Sequence, residues 1–97
     1  MTVISYTSNF WDDIARLTNF LLTQDTELAL NTYDIVMDGI GLLSKHPEIG
    51  RLSLKNDLRE LVISRGKTGY IALYSYDSSL DLITVISIWH QREAGLS

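Results

Sequence analysis

The sequence predicts an α+β domain in which a helix hairpin packs on one face of a small antiparallel sheet, in the order βααβββ. Two stretches between residues 8 and 44 repeat their apolar residues with the period of a helix, whereas residues 58–90 alternate with period two. Short connections separate the last three strand candidates, which favours an antiparallel meander. With 97 residues the chain has room for one core, so we expect a single domain over residues 1–97.

Composition excludes several classes of protein. The chain is 45% apolar and 21% charged, as in globular domains, and it has no cysteine for disulfides or thiolate metal sites. The two histidines are not at ligand spacing, so we expect no metal and no other cofactor. No apolar run approaches the ~20 residues of a membrane helix, and the first residues lack the features of a signal peptide. We therefore expect a cytoplasmic protein without a membrane partner.

The helical half begins after a short β-branched strand at residues 2–6. Ser8 or Asn9 is the expected cap of a first helix that ends near Leu22, and a second helix of about twenty residues ends before Pro47. Two glycines late in the second helix have two possible explanations. They either let the first helix approach closely, or the second helix simply tolerates them. We expect the following apolar positions to form the inward faces of these helices: Ile14, Leu17, Leu21, Ala29, Tyr33, Val36, Ile40 and Leu43.

The second half predicts three strands, at residues 58–65, 70–76 and 82–90, after a loop at residues 47–57. The last strand is apolar at both its odd- and its even-numbered positions, so it is expected to be central or covered. Aromatic side chains are expected to pack across strands or in the core rather than to bind ligands. This expectation applies to Tyr70, Tyr74, Tyr76, Trp11 and Trp89.

Charge is unevenly distributed along a chain whose net charge is −4, and the negative total argues against general nucleic-acid binding. Residues 1–44 hold six acids and a single base, Arg16. Residues 45–67 hold three acids and six bases, namely Lys45, Arg51, Lys55, Arg59, Arg65 and Lys67. These bases are either scattered solvated charges or a basic face for an acidic partner. At the strand ends, Arg59 and Arg65 are expected to meet His90 on the sheet face opposite the helices.

Four segments together resemble one known family. HPEIGR after the second helix, then LREL, SRGKTGYIALYSYD and ISIWHQREAG, are similar to the RelE/ParE superfamily of toxins from bacterial type II toxin–antitoxin modules, and the ParE-like branch fits better. The resemblance implies a βααβββ toxin that arrests growth, as in plasmid stabilisation modules, and is neutralised by a cognate antitoxin. The antitoxin is expected to be disordered alone, to add a strand to a sheet edge and to lay a helix in a groove.

The resemblance leaves two targets open. ParE-like members inhibit DNA gyrase and are not known as nucleases, whereas RelE-like members cut messenger RNA on the ribosome. In a metal-free nuclease, Arg65, His90 and Arg92 would be the catalytic residues, with Glu48 or Glu93 as base. Net acidity, sparse lysines and the missing aromatic residue after EAG argue for gyrase and against enzyme activity. An inactive interaction module of the same fold is the third possibility.

The residues expected to contact the target or the antitoxin come from the basic middle and the end of the last strand. They are Lys55, Arg59, Arg65, Lys67, His90, Arg92 and Glu93. Five of them also have a simpler explanation: Arg59 and Arg65 as solvated strand ends, His90 as a strand cap, and Arg92 with Glu93 as an exposed ion pair worth within ~1 kcal/mol.

Overall fold

The computed structural model of the chain describes residues 2–54, 57–65 and 68–94, without the side chains of residues 64, 65, 68 and 94. Three helices, one 3₁₀ turn and five strands lie within these ranges. In chain order they are β1 (Val3–Tyr6), α1 (Ser8–Leu22), α2 (Thr26–Gly41), a 3₁₀ turn (Leu42–Ser44), β2 (Arg51–Leu52), β3 (Arg59–Arg65), β4 (Thr68–Asp77), β5 (Leu82–His90) and α3 (Gln91–Ala94).

The strands form one sheet in the order β1-β5-β4-β3-β2. The last three long strands make the predicted antiparallel meander, and β5 lies inside the sheet between β1 and β4, which fits its apolar residues at both odd and even positions. The α+β class and the helix hairpin on one face are confirmed. Two details differ: β1 pairs parallel to β5, so the sheet is mixed, and Arg51–Leu52 forms a short strand where a loop was expected.

The helices bury one stripe each against the sheet. Thr7 caps α1 by accepting a hydrogen bond from the backbone N–H of Phe10, and Asp25 caps α2 in the same way at Leu28. Both helices enclose the core with residues of β3, β4 and β5. Two expected core residues lie at the surface instead, because Trp11 is 43% exposed and Tyr33 is 51% exposed. Among the described residues, no helix is long and apolar enough to cross a membrane.

A bulge in β5 decides which residues face the helices. Leu73 pairs with Ser87, but the next residue of β4, Tyr74, pairs with Val85, so Ile86 is an extra residue in β5. The bulge reverses the alternation of side chains beyond it. His90 therefore lies opposite buried Tyr70 on the helix side of the sheet, and Trp89 lies on the uncovered side.

Tyr74 fastens the loop before β2 to the core. Its ring is fully buried, and its hydroxyl donates to the carbonyl of Pro47 and accepts from the N–H of Gly50, both at 2.9 Å. Burial raises the pKa of Tyr74 above its ordinary value of 10.0, while the bond from Gly50 lowers it. The hydroxyl therefore stays protonated at neutral pH and satisfies two backbone groups at once.

Tyr74→Phe is expected to lower the free energy of unfolding by about 1–2 kcal/mol, because the buried N–H of Gly50 loses its acceptor. Urea unfolding followed by circular dichroism measures the change. Tyr33→Phe is the matched control, since Tyr33 is half-exposed and its loss of a hydroxyl should leave stability within ~0.5 kcal/mol. Equal stability of the two variants would contradict the role given to the Tyr74 hydroxyl.

Candidate functional site

The HQRE segment at the end of β5 forms a capping box. The backbone N–H of Arg92 donates to Nδ1 of His90 at 3.0 Å, and the backbone N–H of His90 donates to Oε1 of Glu93 at 3.1 Å. His90 thus occupies the N-cap position of α3, and Glu93 the third position of the helix, which is the spacing of a reciprocal cap. The segment is a local folding motif that orders the short turn Gln91–Ala94.

Arg16 of α1 ties this turn to the rest of the domain. Its guanidinium forms an ion pair with Glu93 and donates to Asp13 and to the carbonyl of Ile88. Sequence reasoning did not select Arg16 as a site residue. The sequence feature that could have identified it is that it is the single base among the first 44 residues. A lone cation in an acidic segment marked the contact between the first helix and the chain's last strand.

His90 is buried, contrary to the expectation that it lies on the open face of the sheet. It is 1% exposed, and its ring packs edge-on against Tyr70 with the centroids 4.9 Å apart. The hydroxyl of Tyr70 in turn contacts that of Thr32 in α2 at 3.2 Å. The bulge at Ile86 is the physical reason, because it turns His90 towards the helices.

Burial and the charge of Arg92 favour the neutral form of His90. Burial is the largest cause that lowers the pKa of His90 below its ordinary value of 6.5; the cation of Arg92 lowers it further, and Glu93 opposes both. Nδ1 accepts a hydrogen bond, so the ring proton is on Nε2, which has no partner among the described residues.

The other predicted cations are not all gathered around His90. Arg59 is turned to the loop before β2, where its guanidinium donates to the carbonyls of Glu48 and Gly50 at 3.0 and 2.8 Å. Arg65 ends β3 and pairs with Thr68, so β4 lies between it and β5. Lys55 and Lys67 lie outside the described residues. The structure brings together His90, Arg92 and Glu93, and of these three only Arg92 is well exposed.

Past the end of β1, the exposed edge of β5 is closed by side chains of α1 and of its N-cap residue Thr7. The carboxylate of Asp13 accepts from the N–H of Ile88 at 3.1 Å and from the hydroxyl of Ser87 at 2.7 Å. Thr7 and Asn9 donate to the carbonyl of Ile86 at 2.9 and 3.1 Å. These bonds satisfy the backbone groups that a strand end leaves open, so an added strand has no free ladder to pair with here.

The opposite edge of the sheet is open for most of its length. β2 pairs with only the first two residues of β3, Arg59 and Glu60, so the segment 61–65 has no strand neighbour on that side among the described residues. Two adjoining hollows of about 250 and 320 Å³ lie along this edge, the first beside α2 and the second beside residues 49–51. We call them the edge groove. Its lining combines residues of α2, the 3₁₀ turn, the loop before β2, β2 and β3: Ile35, Asp38, Gly39, Leu42, Ile49, Gly50, Arg51, Glu60, Leu61, Val62 and Ile63.

The edge groove carries apolar surface that is accessible to a partner. Leu42, Ile49 and Val62 are 44%, 53% and 42% exposed. Exposed apolar side chains beside an unpaired strand are typical of a site that accepts an extended segment of another protein. Among the described residues, no group of three His, Asp or Glu side chains is placed to hold a metal ion.

Comparison with known proteins identifies the family. Residues 4–95 match the family model described as the ParE toxin of the type II toxin–antitoxin system parDE. The chain belongs to the ParE toxin family. A search of curated proteins finds no significant match.

Solved structures show the same fold in ParE and RelE complexes. A chain of the chromosomal ParDE system from P. aeruginosa has a TM-score of 0.73 at 18% identity, with coverage of 91% of this chain and 94% of that one. A chain of the intact E. coli RelBE complex has a TM-score of 0.62 at 13% identity, covering 92% and 95%. A chain of the RelBE2 complex from Mycobacterium tuberculosis has a TM-score of 0.56 at 21% identity, covering 92% and 96%. These likenesses show the fold, and the family match over residues 4–95 makes this ParE family member a toxin of the type II class.

Proposed function

We propose that this ParE family toxin arrests growth by inhibiting DNA gyrase in the cytoplasm, and that a cognate antitoxin neutralises it. The family match over residues 4–95 is the observation that carries the proposal. The net charge of −4 supports it, because a protein that holds RNA needs a cationic surface. No metal or cofactor is needed for this kind of inhibition, which acts by binding.

The geometry of His90 weighs against the nuclease alternative. A general acid or base must reach the proton it transfers, directly or through one water. His90 is 1% exposed, and its Nδ1 already accepts the N–H of Arg92. Arg92 is exposed but has no accessible imidazole beside it. The described part of the HQRE segment therefore lacks an available acid–base group other than Glu93, which is paired with Arg16.

Induced expression of this gene is expected to stop growth, and the purified toxin is expected to block supercoiling by gyrase while ribosome-bound message stays intact. Co-expression of the neighbouring reading frame should restore growth, because the antitoxin covers the toxin. A gyrase supercoiling gel and primer extension on translated message measure the two activities. Message cleavage with unaffected gyrase would refute the proposal and favour the RelE-like target.

The antitoxin is expected to dock in the edge groove. A strand added beside segment 61–65 gains backbone hydrogen bonds, and alternate side chains of that strand point under α2 or towards the uncovered face of the sheet. Leu42 and Val62 line both hollows and offer apolar contacts at the centre of the groove. The edge of β5 is closed by α1, so the edge groove is the better site for strand addition.

The double variant Leu42→Asp/Val62→Asp is expected to weaken binding of the neighbouring frame's product by about 100-fold or more, because two central apolar contacts become buried charges. Isothermal titration calorimetry measures the affinity. Leu80→Asp is the control, since Leu80 is 67% exposed in the turn between β4 and β5 and does not line the groove. Wild-type affinity in the double variant would place the antitoxin elsewhere.

A further inference from the structure

The capping box of α3 uses an uncommon cap. Capping residues are usually Ser, Thr, Asp or Asn, whose oxygens accept hydrogen bonds at any pH near neutrality. Here the acceptor is a ring nitrogen, Nδ1 of His90, which bonds the N–H of Arg92 at 3.0 Å. A neutral imidazole has one donor and one acceptor nitrogen, but an imidazolium has two donors and no acceptor. A second proton on His90 would therefore set an N–H against an N–H.

We propose that the turn Gln91–Ala94 is held by a pH-sensitive latch: the capping box is closed while the imidazole of His90 is neutral and opens when it is protonated. The inference stands on the geometry of the turn and not on the choice of target. Opening of the latch releases the backbone of Arg92, the exposed cation of the HQRE segment. Acid therefore changes how the end of the domain is presented to a partner.

The groups around the imidazole fix the direction of the effect. On β4 it faces the neutral ring of Tyr70, whose hydroxyl contacts Thr32 on α2. On α3 it faces the cation of Arg92 and the carboxylate of Glu93, which is already paired with Arg16. Burial and Arg92 lower the pKa of His90 below 6.5, against the opposing effect of Glu93.

The sign of the pH dependence follows from that lowered pKa. Above 6.5 the imidazole is neutral in both the folded and the unfolded chain, and its contribution to stability is fully present. As pH falls below 6.5 the unfolded chain binds the proton first, so stability declines until the folded pKa is passed. The latch therefore opens on the acid side of 6.5, where a local opening costs less than unfolding the domain.

Amide hydrogen exchange of the intact protein, read by NMR from about pH 8 to about pH 5, tests the latch. We expect the protection factor of the Arg92 amide to fall about tenfold as the imidazole titrates, the size expected for loss of one capping bond. The ring carbon shifts of His90 give its titration in the same samples. The amides of Val85 and Ile88 in β5 should keep their protection, which separates opening of the turn from unfolding of the domain.

Two substitutions distinguish the two ring nitrogens. His90→Asn keeps an acceptor near the position of Nδ1 and cannot titrate, so protection of Arg92 should no longer depend on pH. His90→Gln carries its amide nearer the position of Nε2, so protection should be low at every pH. A wild-type Arg92 amide whose protection stays constant through the imidazole titration would overturn the latch. So would an Asn variant that loses protection at the same pH as the wild type.

Discussion

Asp13→Ala is expected to lower the free energy of unfolding by about 2–4 kcal/mol, the largest of the stability effects we anticipate. The carboxylate of Asp13 is 14% exposed and accepts the N–H of Ile88 and the hydroxyl of Ser87. Hydrogen bonds to a charged acceptor are stronger than neutral ones, and their loss leaves a backbone donor of β5 unpaired. Chemical denaturation of the two proteins at neutral pH measures the difference.

Asp12→Ala is the control for that experiment. Asp12 has the same charge and is the preceding residue of α1, but it is exposed. Its removal should change stability by no more than ~0.5 kcal/mol. If the two alanine variants were equally stable, α1 would not be closing the edge of β5 through Asp13.

Gly39→Ala is expected to destabilise the domain by about 1–3 kcal/mol, although alanine favours helices. A Cβ atom at Gly39 would lie 2.7 Å from both Cγ1 and Cγ2 of Ile63 in β3, closer than atoms can approach. The helix must shift away from the strand or Ile63 must leave its preferred rotamer. Thermal and urea unfolding measure the loss, and the same shift should alter the edge groove, which both residues line.

Gly41→Ala supplies the matched control with the opposite sign. A Cβ atom at Gly41 meets nothing within 4 Å, so alanine fits there without a clash. The substitution should stabilise the protein by about 0.5–1 kcal/mol, because alanine gives the unfolded chain less conformational entropy than glycine does. The double variant Gly39→Ala/Ile63→Ala should show strong coupling, because the smaller side chain removes the clash. Simple additivity of the two substitutions would rule out the clash as the cause.

Most of the fold could be predicted from local patterns in the sequence. The helical period gave α1 and α2, and the change to period two at residue 58 gave the meander of β3, β4 and β5. The pairing of β1 with β5 was not accessible in this way, because it joins segments far apart in the chain and depends on which strand edge remains free. The two residues of β2 carry too little sequence to produce an alternating pattern.

The candidate site was harder to predict because one residue changed its orientation. Strict alternation along β5 separates His90 from Val85, but the extra residue Ile86 places both on the helix side. The bulge has no distinct sequence signature, since Ile86 is an ordinary strand residue within a mostly apolar run. The H-x-x-E spacing of His90 and Glu93 was visible, and it indicates a capping box only if histidine is admitted as a cap.

The two glycines of α2 show how little of the packing between elements can be predicted from the sequence. The sequence left close approach and tolerance open for both, and the structure assigns one explanation to each. Gly39 is required by Ile63 of β3 rather than by α1, whereas Gly41 faces open space. Only the position of the strand, which is tertiary information, separates them.

The parallel pairing of β1 with β5 has a consequence for biogenesis. The side chain of Thr2 donates to that of Asp81, 79 positions later, and the neighbouring strands pair from there. During translation the helical hairpin emerges long before β5 exists, so β1 must wait, without its partner, for nearly the whole polypeptide. A nascent chain that ends before residue 82 therefore lacks the partner strand of β1, and this end of the sheet can form only after β5 has been made.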